Sequence, residues 1–184
     1  MKIGMFILMG YLLVCANAVF AQTPFAYGGV SLLATNYSGG GSQDRAVGFR
    51  LFGAYQPMLN LSFEAGLVDN GNATVGKIDN APINRSTSGV DALAVFTYPA
   101  SRRFDVFGKL GLYVWQMQNE ACIGGRCLVK NSKHGTSPEL GLGLTYFPNR
   151  AMLTRLEFSD IRFKLNHDTT VQTQALAFSF GLHF

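Results

Sequence analysis

From position 175 onward the chain alternates without a break. Leu176, Phe178, Phe180, Leu182 and Phe184 are large and apolar, and Ala175, Ala177, Ser179, Gly181 and His183 between them are small or polar. A period of two belongs to an extended strand, whose successive side chains point to opposite faces. One face of this strand is wholly apolar over about nine residues, close to what a tilted strand needs to cross the hydrocarbon core of a bilayer.

The same period recurs through the chain. Leu140, Leu142, Leu144 and Tyr146 oppose Glu139, Gly141, Gly143 and Thr145, while Val106, Leu110, Leu112 and Val114 oppose Lys109, Gly111, Tyr113 and Trp115. In all, strand-like patterning covers residues 25–37, 45–56, 60–69, 87–98, 104–118, 137–147, 152–163 and 172–184. An even count suits a closed barrel. Alternation by itself does not say which face points inward. The chemistry of the second face decides it, because Arg50, Glu64, Lys109, Arg155 and Glu157 mixed with glycines make an odd solvent surface but a reasonable narrow polar lumen.

The connections support a membrane barrel independently. They alternate between long (38–44, 70–86, 119–136 and 164–171) and short (57–59, 99–103 and 148–151). Each short one follows an aromatic strand end: Tyr55-Gln56-Pro57, Tyr98-Pro99 and Tyr146-Phe147-Pro148. Short periplasmic turns, longer outer loops and an aromatic girdle at the lipid interface belong to this architecture. Ordinary turn chemistry, with proline kept out of central ladders, is the alternative, and it does not account for the restriction to every second connection. Both termini then fall on the periplasmic side.

Residues 1–21 read as a secretory signal: Lys2 supplies positive charge, residues 3–14 are mostly apolar, and cleavage is expected before Gln22, leaving 22–184 as one barrel domain. Cys15 follows Val14 where lipoprotein processing wants a smaller side chain, so it is read as an incidental cysteine of a discarded peptide. Beyond the signal no stretch approaches the roughly 20 consecutive apolar residues of a membrane helix. Fifteen Phe, seven Tyr and 21 Gly with few charges suit strands and turns. The formal charge of +4 is spread without the run or stripe of a nucleic-acid binder. Export makes nucleic acid a poor partner as well, and none is expected.

Several motifs resemble a known family. Lys109-Leu110-Gly111-Leu112-Tyr113-Val114-Trp115, Gly135-Thr136-Ser137-Pro138, residues 141–146 and Thr154-Arg155-Leu156-Glu157-Phe158 resemble the fifth to seventh strands of the OmpA-type transmembrane domain, and Phe52-Gly53-Ala54-Tyr55-Gln56 the end of its second. The resemblance implies an all-β fold, an eight-stranded antiparallel up-and-down transmembrane β-barrel of the bacterial outer membrane. Larger members carry a peptidoglycan-binding domain after the barrel, and none is expected in a chain ending at Phe184. The family also implies a salt-bridge constriction in the lumen. Arg155 matches its seventh-strand arginine and Glu64 its third-strand acid, whereas Thr145 and Val95 stand where the sixth-strand acid and fourth-strand lysine would be. Arg155 and Glu64 are expected to pair, with Arg50, Lys109 and Glu157 as further members, because an unpaired charge in a narrow barrel is costly. The cluster is read as a structural plug rather than a switching gate.

Cys122 and Cys127, in Cys-Ile-Gly-Gly-Arg-Cys of the longest outer connection, are expected to form a disulfide in an oxidising compartment. Metal binding would need further ligands, and only His134 is near in sequence. Arg126, Lys130, Lys133 and His134 make the same segment basic and are candidates to meet lipopolysaccharide phosphates. A simply solvated loop is the favoured alternative, since these charges have no aromatic interleaving. Phe184 resembles the terminal aromatic that the outer-membrane barrel assembly machinery reads.

Small outer-membrane barrels include lipid A-modifying enzymes and proteases. Their chemistry needs a nucleophile or activated water beside a base. His183 falls on the inward face at the periplasmic end, His134 and His167 lie in outer connections, and no serine stands in a nucleophile motif. The expectation is a barrel without enzymatic activity or cofactor, contributing to envelope structure or presenting its loops to an external partner. A narrow ion-conducting pore is the next reading and a lipid A-modifying enzyme the third.

Overall fold

In a computed structural model of the chain, residues 25–39, 42–78, 81–123, 126–166 and 169–184 are described. The signal reading of residues 1–21, with Cys15, lies outside them, as do Gly124, Gly125, His167 and Asp168. Eight strands follow one another in chain order: β1 (Phe25–Gly39), β2 (Ser42–Met58), β3 (Leu61–Ile78), β4 (Ala81–Pro99), β5 (Phe104–Ile123), β6 (Arg126–Tyr146), β7 (Met152–Asn166) and β8 (Thr169–His183). Each pairs antiparallel with the next, and β8 returns to β1 with Tyr27 opposite His183, closing the barrel. Closure matters in lipid, where an unpaired strand edge would leave backbone amides without partners.

The parity read from the sequence holds, with the large apolar face outside and the charged, small-residue face inside. Leu32, Leu67, Leu112, Leu142, Phe158 and Phe178 lie exposed on the outer wall, and the residues between them are buried inside. Tyr55, Tyr98 and Phe104 ring the periplasmic end of that wall, where the rings of Phe104 and Tyr146 stand 4.9 Å apart. The periplasmic turns are tight: Phe104 accepts from the amides of Ala100 and Ser101, and the Phe147 amide donates to Arg103 O, tying two turns together. Pro57 falls at the irregular pairing between Tyr55 and Met58, where its missing N–H costs the ladder nothing.

The outer connections differ from expectation. Segments 70–86 and 119–136 are mostly strand, not loop: β3 and β4 stay paired out to Ile78 opposite Ala81, and β5 and β6 out to Ile123 opposite Arg126. At 15 to 21 residues the strands exceed the roughly 9–11 that a bilayer requires. Above the membrane a hairpin needs no apolar face, so its alternation vanishes while its backbone pairing continues.

Candidate functional site

The inward row of each strand supplies the lumen, and all five charged residues expected there are buried: Arg50, Glu64, Lys109, Arg155 and Glu157. Two further carboxylates join them, Asp91 on β4 and Glu139 on β6. On one wall, Arg50 of β2 donates through Nε to Asp91 Oδ2 at 2.6 Å and through Nη2 to Oδ1 at 2.9 Å, and its Nη1 lies 3.2 Å from Glu64 Oε2. Such fork-to-fork pairing is the strongest geometry a guanidinium offers. On the other wall, Lys109 of β5 lies between Glu139, 2.9 Å away, and Glu157 of β7.

Arg155 joins the two walls. Its Nη1 reaches Glu64 Oε1 at 2.6 Å, a bond between β7 and β3, which lie diametrically opposite in a ring of eight. Tyr27 donates to the same Glu64 oxygen at 2.8 Å and accepts from Arg155 Nη2 at 3.3 Å. The guanidinium also stands over the Phe107 ring at 4.5 Å, a favourable cation–π position in a desolvated site.

Two glycines make room for these charges. Gly66 sits directly opposite Asp91, and a Cβ there would lie 2.8 Å from both Arg50 Nε and Asp91 Oδ1. Gly141 sits opposite Lys109, and a Cβ there would lie 2.6 Å from its Cε. Aromatic layers bracket the charged belt. Towards the outer side Tyr37, Tyr113, Trp115, Met117 and Phe163 pack together, with Trp115 Nε1 donating to Ser137 Oγ at 2.8 Å. Towards the periplasm Tyr27, Phe52 and Leu153 pack together with Phe25 and Phe147. Below Arg155 a cavity of about 120 Å³ opens among Phe25, Tyr27, Thr145, Leu153 and His183.

Thr145 and Val95 point inward and carry no charge, and the acids of their strands, Glu139 and Asp91, stand further along the same inward rows. Sequence reasoning left both out of the cluster, although their parity was available: Glu139 shares the row of Gly141, Gly143 and Thr145, and Asp91 that of Val95. His183 is half-buried at the periplasmic end against Phe25, 5.2 Å between rings. His134 is exposed on β6. Cys122 and Cys127 are direct register partners near the tip of the β5–β6 hairpin. Arg126, Lys130 and Lys133 lie along the β6 arm of that hairpin. Phe184 is exposed, and its amide donates to Ala26 O at 2.8 Å.

A closed barrel with an apolar outer wall, a charged interior and an aromatic rim is an integral β-barrel of the bacterial outer membrane. The family of the OmpA-like transmembrane domain matches residues 25–181, and the chain belongs to it. Outer membrane protein A of Salmonella typhi is 29% identical over 122 residues, which cover 66% of this chain and 35% of that protein. The chain thus spans about a third of that relative's length. Among solved structures, Neisserial surface protein A superposes with a TM-score of 0.68 at 12% identity, covering 89% of this chain and all of that one. Ail, the attachment invasion locus protein of Yersinia pestis, in complex with the heparin analogue sucrose octasulfate, superposes at 0.57 with 16% identity, covering 88% of this chain and 97% of that one.

Proposed function

We propose that this barrel is a structural and surface-interacting protein of the outer membrane, without enzymatic activity or cofactor, whose lumen is plugged by its own charges. The observation that carries the reading is the bond of Arg155 to Glu64 across the full width of the barrel, continued on both walls by Arg50–Asp91 and Glu139–Lys109–Glu157. An ion entering this belt would have to displace buried ion pairs with little water to replace them. Single-channel recording in planar bilayers tests it: small intermittent openings or none are expected, and stable large openings would refute a plugged lumen.

Function then lies in the outer hairpins. The β6 arm carries Arg126, Lys130 and Lys133, and the phosphates of lipopolysaccharide or an acidic external partner are the chemistry they suit. That the similarly folded Ail has been seen with a sulfated sugar supports polyanion recognition at such a surface. A Cys122–Cys127 disulfide would pin the hairpin tip, since directly opposed antiparallel residues have the Cα separation a disulfide needs. In this reading residues 1–21 are removed on export and Phe184 is the aromatic read by the barrel assembly machinery.

A further inference from the structure

The periplasmic turns of the barrel are unevenly charged. Of its three turns, the β2–β3 turn at Leu59 and Asn60 carries no charge, whereas the β4–β5 turn holds Arg102 and Arg103 and the β6–β7 turn holds Arg150. These two turns are joined by the hydrogen bond from the Phe147 amide to Arg103 O, 2.9 Å. All three arginines are exposed, and all three line one open cleft of about 450 Å³ together with Phe147, Pro148, Asn149 and His183. None of the residues lining it is acidic. Among the described residues no carboxylate pairs with any of the three, in contrast to the lumen, where every cation has its acid.

The depth of the cleft identifies what would neutralise it. The strands that end in these turns carry Tyr98 and Phe104 on the lipid side, with Phe104 against Tyr146, and aromatic rings of this kind sit at the boundary between hydrocarbon and headgroups. The arginines lie just beyond that boundary, at the level of the phosphodiesters of the inner leaflet. A planar guanidinium matches a phosphate oxygen pair, and three converging on one cleft suit a lipid anion better than a single exposed lysine would.

We propose that Arg102, Arg103 and Arg150 form a binding site for the headgroup of an anionic phospholipid in the periplasmic leaflet. The site lies at the periplasmic mouth of the barrel, apart from the charged belt and from the outer hairpins. It is tested by native mass spectrometry of the refolded chain released from mixed micelles of phosphatidylglycerol and phosphatidylcholine. Preferential retention of phosphatidylglycerol is expected, falling about five-fold per arginine removed at low salt and lost in R102Q/R103Q/R150Q. Heat-modifiable gel mobility reports whether each variant is folded; should the triple variant not refold, R102Q and R150Q singly carry the test. Equal retention of the two lipids, or a preference that survives these substitutions, would overturn the site. A preference lost only in K130Q/K133Q would place the lipid on the outer hairpin and overturn it too.

Discussion

Replacing Glu64 by glutamine tests the lumen most directly. The carboxylate is fully shielded, and it takes Arg155 at 2.6 Å, Arg50 at 3.2 Å and the Tyr27 hydroxyl at 2.8 Å. Breaking a buried pair by neutralising one partner typically costs about 3–5 kcal/mol, because the other charge stays buried without compensation. Arg50 keeps both of its bonds to Asp91, so the loss falls on Arg155, which retains only Tyr27 and the faces of aromatic rings. The expected destabilisation is therefore at the lower end, about 3 kcal/mol. Reversible urea unfolding of the barrel in lipid vesicles measures it. The double variant E64L/R155M removes both partners, leaves Arg50–Asp91 and the Lys109 triad intact, and should recover most of the loss; with E64L and R155M singly completing the cycle, the coupling energy should be about 2 kcal/mol or more. A single variant within about 0.5 kcal/mol of the parent, or a double variant no better than the single, would refute the pairing as a source of stability.

Gly66→Ala should cost about 1–3 kcal/mol in the same assay, since its methyl would push Arg50 off Asp91; a neutral result would mean the pair has room to spare. Thiol labelling of the unfolded, unreduced mature protein should find no free cysteine, and two reactive thiols would exclude the Cys122–Cys127 disulfide. Removing Phe184 takes away a single backbone hydrogen bond, worth about 0.5–1.5 kcal/mol, yet should lower the amount inserted in the outer membrane several-fold, as fractionation of cells would show. Unchanged levels would mean that the terminal aromatic is not an assembly signal.

The hairpin arms and the two missed acids mark where the sequence stops being readable. Strand existence was legible because the bilayer imposes an apolar face on every crossing segment, and that constraint writes itself into each strand separately. It ends at the membrane surface, so the outward continuation of β3 to β6 left no periodic trace. Glu139 and Asp91 were on the inward rows all along, but parity says only that a side chain enters the lumen, not at what height or beside which partner.

The alternation of β8 shows the division between sequence and tertiary structure. By itself the sequence determined eight strands, their inward and outward rows, and a membrane-spanning wall, since these follow from a side-chain period of two and the solvent each face meets. The Glu64–Arg155 pair, 91 positions apart, was expected from the family resemblance, but only the tertiary structure decided that Arg50 takes Asp91 and that Lys109 serves two carboxylates. The physical reason is that these partners lie on different strands of a closed ring, and their distance is set by register and barrel closure, which no single strand encodes.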